Sequence, residues 1–121
     1  EVVMWGTGTP RREFLHVDDM ARASLFVFDM DRATYEAHTE PMLSHLNVGS
    51  GTDIAIGDLA RMVADVVGYT GRITNDLSRP DGTMRKLMSS DRLTAMGWAP
   101  RGALRDGIAQ TYRWFLDHRA G

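Results

Sequence analysis

Short apolar blocks separated by polar turns predict alternating strands and helices along this chain. Apolar residues that run together predict strands at 2–5, 44–48 and 72–76, and a further extended segment at 13–17. Apolar residues at helical spacing predict helices over about 19–31, 56–67, 90–96 and 104–115. Strands that alternate with helices are typical of an α/β fold.

Capping residues indicate where these helices begin and end. Asp18 or Asp19 is expected to cap the first helix, because a carboxylate can accept hydrogen bonds from the unpaired N–H groups of a first turn. Ala55 precedes the second helix and offers no such acceptor, whereas Gly68 is a natural end for that helix. The polar stretch from about 32 to 42 predicts a loop.

Composition limits the classes of protein that the chain could represent. Its 121 residues suit one small domain or part of a larger one, and 43% hydrophobic with 25% charged residues is ordinary for a globular protein. A net charge of −2 gives no general attraction to nucleic acid or to an anionic membrane. No apolar run approaches the roughly 20 residues of a membrane helix. The absence of cysteine excludes disulfides, zinc–thiolate sites and thiol catalysis, and is compatible with the cytoplasmic location that we expect.

The chain lacks the catalytic pair of the short-chain oxidoreductases. That pair is a tyrosine four residues before a lysine, and the lysine lowers the pKa of the phenol so that it can transfer a proton. Lys86 is the only lysine, and position 82 is Gly82. This catalytic pair is therefore absent from the chain.

Two glycine turns, at 6–8 and 49–51, begin in the G-x-G manner of dinucleotide-binding loops. Neither has the third glycine that lets a helix and a strand pack closely around a pyrophosphate. Ordinary turns are the favoured interpretation, so no cofactor is expected on this chain alone.

No metal site is expected either. The four histidines fall in separate segments, without the paired spacing of metal ligands. Asp18 and Asp19 could form a metal-binding or acid/base pair, but helix capping explains them without any chemistry.

The basic residues include two adjacent pairs, each of which follows a tight turn. Arg11 and Arg12 follow the glycine and proline turn at 6–10, and Arg85 and Lys86 follow the turn at 80–82. Guanidinium groups can bind phosphate oxygens in a bidentate manner, and a lysine adds a compact charge. The four side chains would suit a phosphorylated ligand, although solvated surface charge is the more common explanation for such pairs.

Motifs from one end of the chain to the other resemble those of the GDP-L-fucose synthases. Residues 3–21 read VMWGTGTPRREFLHVDDMA, which is similar to the family's W-G-[ST]-G-x-x-x-R-E-F-L-[HY]-V-D-D-[ML]-A. Further matches are LNVGSG at 46–51, PDGTMRKL at 80–87, GW at 97–98 and QTYRWF at 110–115. The R-E-F-L-H-V-D-D segment alone indicates an extended short-chain dehydrogenase or epimerase, and P-D-G-T-x-R-K narrows the resemblance to this family. Met84 departs from the family's usual proline.

The resemblance implies an activity and a set of substrate-binding residues. The family converts GDP-4-keto-6-deoxy-mannose to GDP-L-fucose by epimerisation at C3 and C5, followed by reduction of the ketone with NADPH. Carried over by position, it implies that Trp5, Arg12, Asp81 and Lys86 contact the GDP-sugar. Arg12 and Lys86 would offset the diphosphate charge, Trp5 would lie against the nucleotide or sugar, and Asp81 would accept hydrogen bonds from hydroxyl or guanine groups.

The resemblance also implies that residues 1–121 form the C-terminal, substrate-binding portion of an extended short-chain dehydrogenase. Segments at about 14–31 and 44–49 resemble returns to a Rossmann domain that binds NADP, and without that domain they would expose apolar surface. The Ser-Tyr-Lys catalytic set would lie in that missing N-terminal domain. We therefore expect the isolated chain to be inactive, NADP to bind only in the complete enzyme, and the complete enzyme to be a homodimer.

Two alternatives remain open from the sequence. One is a stand-alone nucleotide-sugar binding module without chemistry. The other is the same region of a different nucleotide-sugar epimerase or dehydratase.

Overall fold

The predicted α/β architecture is present in the computed structural model, which describes residues 1–119. Along these residues the elements are β1 (Val2–Trp5), β2 (Arg11–Glu13), α1 (Val17–Phe28), α2 (Arg32–His38), β3 (Asp53–Ala55), α3 (Ile56–Val67), β4 (Ile73–Asp76), β5 (Arg85–Lys86), α4 (Asp91–Ala95) and α5 (Leu104–His118). Within the described part of the chain, no helix is long and apolar enough to span a membrane. The chain divides into two compact units, of which unit 1 contains 1–12, 53–86 and the segment from Gly102 onward, and unit 2 contains 13–52 and 87–101.

Unit 1 holds parallel strand pairs and two packed helices. β1 pairs with β4, from Val2 opposite Ile73 to Trp5 opposite Asp76. β2 lies between β3 and β5 and runs parallel to β5. The helix α3, whose apolar stripe is evident in the sequence, packs against α5.

The helix α3 begins without a side-chain cap because neighbouring backbone takes that role. Ala55 has the extended backbone of an N-cap residue and makes no side-chain hydrogen bond. The N–H of Ile56 donates to the carbonyl of Pro10 at 3.0 Å, and the N–H of Gly57 donates to that of Gly8 at 2.8 Å. Two of the N–H groups that a helix start leaves unpaired are thereby satisfied.

A serine at this N-cap is expected to raise stability slightly. In Ala55→Ser the new hydroxyl can accept a hydrogen bond from the N–H of Asp58. The N–H of Gly57 is already bonded, so we expect the free energy of unfolding to rise by about 0.5–1 kcal/mol, the lower part of the usual range for an N-cap. Thermal unfolding should therefore show a higher Tm. Ala64→Ser makes the same change inside α3 and should lower the Tm, because serine is a poorer helix former than alanine. An unchanged Tm in Ala55→Ser would contradict the prediction.

Unit 2 is organised around a small apolar core. Ala23, Leu93 and Trp98 are buried, and the partly buried apolar residues that pack on them are Leu15, Phe26, Val27, Leu46, Val48 and Met96. The helix α1 gives only part of its surface to this core. Its exposed apolar side chains, of which Phe28 is 85% exposed, are Val17, Met20, Leu25 and Phe28.

The predicted N-cap of α1 is wrong. His16 is the N-cap residue, and its Nδ1 accepts a hydrogen bond from the N–H of Asp18 at 3.2 Å. The buried carboxylate of Asp19 instead accepts from the guanidinium of Arg22 and from the N–H of Arg101. A structural ion pair therefore accounts for Asp19 without metal or acid/base chemistry. In the described residues, no group of three or more acidic or histidine side chains is arranged to hold a metal.

The predicted loop over 32–42 is wrong in its first half, which forms α2. Asp31 caps this helix, because its carboxylate accepts from the N–H of Thr34 at 2.9 Å and from the Thr34 hydroxyl at 2.6 Å. These bonds hold the pKa of Asp31 below its ordinary value. An ion pair between Arg32 and Glu36, one turn apart, adds to the helix. Local polar bonds thus form a helix that has no apolar stripe.

The predicted strand at 44–48 is also wrong, since this segment has no strand partner in the described residues. Side chains bond to its backbone instead. Arg92 donates to the carbonyl of Leu43 at 2.8 Å and to that of His45 at 3.4 Å. Asn47 donates through its side-chain amide to the carbonyl of Ser89 at 3.0 Å. These contacts fix the segment without strand pairing.

Candidate functional site

Two parallel strands bring the two basic pairs side by side. Arg11 lies opposite Arg85, and Arg12 lies opposite Lys86. Because successive side chains of a strand point to opposite faces, Arg12 and Lys86 share one face of the pair. Arg11 and Arg85 share the other face.

On the face with Arg11 and Arg85, both cations pair with Asp53, whose side chain is 5% exposed. Arg11 donates through Nε to Oδ1 of Asp53 at 2.8 Å, and Arg85 donates through Nε to Oδ2 at 2.5 Å. These hydrogen bonds, first from Arg11 and then from Arg85, hold the pKa of Asp53 below its ordinary value. Half of the predicted phosphate-binding set is therefore occupied within the protein.

The face with Arg12 and Lys86 has no such counter-charge. Among residues 1–119, no carboxylate forms an ion pair with either side chain. The Arg12 guanidinium donates to the carbonyl of Arg11 at 2.6 Å, and it lies 3.3 Å from the place that a Cβ on Gly82 would take. Lys86 is exposed. Two adjacent cations without a carboxylate partner suit a ligand with two negative charges.

Asp81 orders the turn that follows β1. The N–H of Thr7 donates to Oδ1 of Asp81 at 2.8 Å, and the Thr7 hydroxyl donates to Oδ2 at 2.7 Å. Gly6 has φ +74°, and a Cβ there would lie 2.3 Å from Oδ1 of Asp81, so a residue other than glycine would disrupt this approach. The structure thus gives Asp81 a role within the protein, and its contact with substrate stays a prediction.

Trp5 is 70% exposed at the end of β1, where the guanidinium of Arg79 lies 4.9 Å from the ring centroid. Cations at this distance from an aromatic face are attracted to it. Nε of Arg79 is 3.6 Å from a carboxylate oxygen of Asp76. Ser78 donates to Asp76 through its N–H and its hydroxyl, which holds the pKa of Asp76 below its ordinary value. Arg79 was not anticipated, although an aspartate two residues before a serine is typical of the turn that places it.

Neither glycine turn fits a dinucleotide phosphate. The N–H of Gly51 donates to the carboxylate of Glu13 at 2.8 Å, and a Cβ on Gly49 would lie 2.4 Å from that carboxylate. In the other turn, the N–H of Thr7 is bonded to Asp81. A phosphate would meet a negative charge at each turn, so the residues present do not fit NADP.

Known proteins are similar to this chain in sequence and in fold. The model of the NAD dependent epimerase/dehydratase family matches residues 1–49. The GDP-L-fucose synthase of Escherichia coli (strain K12) is 52% identical over 119 residues, which are 98% of this chain and 37% of that protein. A GDP-6-OMe-4-keto-L-xylo-heptose reductase from C. jejuni matches 97% of this chain with 35% identity and a TM-score of 0.86. A GDP-mannoheptose C4 reductase from Campylobacter jejuni with NADP bound matches 94% with 33% identity and a TM-score of 0.81. The chain covers 34% of each of these two structures.

These matches confirm the predicted class, an α/β chain similar to the C-terminal part of Rossmann-type epimerases and reductases. They confirm in particular the predicted resemblance to the GDP-L-fucose synthases. The chain spans about a third of the length of the curated relatives that it matches.

Proposed function

We propose that this chain is the GDP-sugar binding part of an NADP-dependent GDP-L-fucose synthase. The observation that carries the proposal is the pair of cations, Arg12 and Lys86, on one face of β2 and β5. Similarity over 98% of the chain to a GDP-L-fucose synthase supports the choice of ligand.

Each predicted substrate residue has a physical role in this proposal. Arg12 and Lys86 offset the charge of the diphosphate, because N⁺–H donors form strong hydrogen bonds with phosphate oxygens. Trp5 offers an exposed aromatic face to the nucleotide or the sugar. Asp81 holds the turn that follows Trp5, and its remaining lone pairs are available to a hydroxyl or guanine N–H donor.

The chemistry of the complete enzyme is assigned to another part of it. Reduction of the ketone needs the family's Ser-Tyr-Lys set, and epimerisation at C3 and C5 needs its general acid/base Cys and His. This chain has no cysteine and no tyrosine four residues before a lysine, and NADP does not fit its glycine turns. The chain alone should therefore bind substrate and turn none over. NADPH would supply the hydride to the ketone in the complete enzyme, and NADP⁺ would be left.

The exposed apolar residues of α1 support a further part of the proposal. Segments 14–31 and 44–49 both lie in unit 2, and α1 leaves four apolar side chains in solvent. An N-terminal NADP-binding domain would cover such a surface. We place the complete enzyme in the cytoplasm, as a homodimer.

Titration calorimetry of this chain with GDP-L-fucose tests the proposal, with UDP-galactose and NADPH as comparison ligands. We expect heat of binding with GDP-L-fucose and none with the two comparison ligands. The paired cations and the turn held by Asp81 are already in place without ligand. Equal binding of the UDP-sugar would favour the region of another nucleotide-sugar epimerase. No binding of GDP-L-fucose at saturating concentration would contradict a substrate site on this chain.

The alternative of a stand-alone binding module makes a different prediction. Such a module would bind a GDP-sugar, and the native polypeptide would contain no NADP-binding domain. The mass of the native polypeptide distinguishes the stand-alone module from the proposed enzyme. The proposed enzyme requires a polypeptide about three times as long as the 121 residues of this chain.

A further inference from the structure

Asp53 is placed so that one carboxylate bonds to both strands beneath the proposed diphosphate site. It lies on β3, and its two oxygens accept from Arg11 on β2 and from Arg85 on β5. A third bond joins the same residues, because Nη2 of Arg11 donates to the backbone carbonyl of Asp53 at 2.9 Å. The three segments 11–13, 53–55 and 85–86 are thus linked through a single side chain that is almost wholly buried.

The link is needed because β2 and β5 place four cations next to one another. Arg11, Arg12, Arg85 and Lys86 occupy two consecutive positions of a parallel pair. Like charges at such spacing repel, and the repulsion is stronger where protein replaces water. Within residues 1–119, Asp53 is the only carboxylate that forms an ion pair with any of these four side chains.

The backbone alone gives the strands a weak connection. β5 has only two residues. Just before it, the N–H of Arg11 donates a hydrogen bond to the carbonyl of Met84 at 2.8 Å. So short a ladder contributes little by itself, because the net contribution of each backbone hydrogen bond to stability is small.

We propose that Asp53 is a positioning residue that acts through Arg11 and Arg85 to hold Arg12 beside Lys86 for a nucleoside diphosphate. Because adjacent strand positions move together, fixing Arg11 against Arg85 on one face sets the spacing of Arg12 and Lys86 on the other. The inference rests on the proposed function, which assigns Arg12 and Lys86 to the diphosphate. Asp53 itself does not touch the ligand, since it lies on the opposite face.

The first test needs no ligand. Asp53→Asn keeps the shape of the side chain and removes its charge, so the β2–β5 pair should open more often. Amide hydrogen exchange should speed up at Arg11, which bonds to Met84, and stay unchanged at Val2, whose N–H donates to the carbonyl of Arg72 at 2.9 Å in the other sheet. Equal acceleration at both amides would mean general destabilisation and would overturn the inference.

The second test measures GDP binding to the same variant by calorimetry. We expect GDP affinity to fall roughly tenfold, the scale for one hydrogen bond to a charged group. Asp58→Asn is the matched control, because it makes the same change in an exposed pair with Arg61 on α3 and should bind GDP as wild type does. Wild-type affinity in Asp53→Asn would overturn the inference and leave the proposed function standing. Loss of Arg11 protection without GDP binding by the wild-type chain would support the strand link and overturn the proposed function.

Discussion

Replacing Lys86 with alanine should weaken binding of GDP-L-fucose by about 1–3 kcal/mol, the usual scale for charge-assisted hydrogen bonds. Arg12→Ala should have an effect of similar size, because the two side chains share one face of the β2–β5 pair and neither has a carboxylate partner in the described residues. Titration calorimetry of each single variant and of the double variant measures these losses. The double variant should show no detectable heat.

The control for both variants is Arg61→Ala, which removes an exposed cation of unit 1 that pairs with Asp58. Its affinity should equal that of the wild-type chain. If Arg12→Ala and Lys86→Ala also bound GDP-L-fucose with wild-type affinity, the diphosphate could not lie on this face.

Leu93→Ala is expected to have the largest effect on stability. Leu93 is 0% exposed and is one of three buried residues at the centre of unit 2. Removing a buried leucine side chain costs about 2–5 kcal/mol through lost apolar burial and the cavity left behind. Since domains of this size have a free energy of unfolding of about 5–15 kcal/mol, a large share of it would be lost. Urea unfolding followed by circular dichroism gives the difference.

Leu25→Ala is the matched comparison, because it deletes the same atoms from an exposed position on α1 of the same unit. We expect a change within about 0.5 kcal/mol. Equal losses in the two variants would show that Leu93 does not form the core of unit 2.

The elements with an apolar pattern were predictable from sequence. The helix at 56–67 and its end at Gly68 are confirmed, and Gly68 has the left-handed backbone, with φ +72°, that favours glycine. The strand predicted at 2–5 is also confirmed, and the one predicted at 72–76 forms over Ile73–Asp76. In these segments the local pattern and the tertiary contacts agree.

The wrong predictions lie where side-chain hydrogen bonds, and not the spacing of apolar residues, determine the backbone conformation. The helix α2 depends on Asp31 and Thr34, and the segment at 44–48 is held by Arg92 and Asn47. Sequence separates Arg92 from its acceptors by more than forty positions. No local pattern could predict that contact.

The members of the candidate site come from resemblance alone, and the sequence does not give their arrangement. Resemblance selects Trp5, Arg12, Asp81 and Lys86, and their contact with substrate stays a prediction. Residue type and position in the turns do not by themselves separate Arg12 from Arg11 or Lys86 from Arg85. That distinction arises from strand register and from Asp53, which the turns alone do not reveal.

The interrupted course of unit 1 has a consequence for synthesis of the protein in the cell. Its segments 1–12 and 53–86 are joined by strand pairing, and α5, at 104–118, completes the unit by packing on α3. Since a ribosome releases the chain from its N-terminus, the strands that carry Arg12 and Lys86 emerge before the helix that α3 packs against. The side of α3 that packs on α5 is therefore uncovered until translation has passed α5.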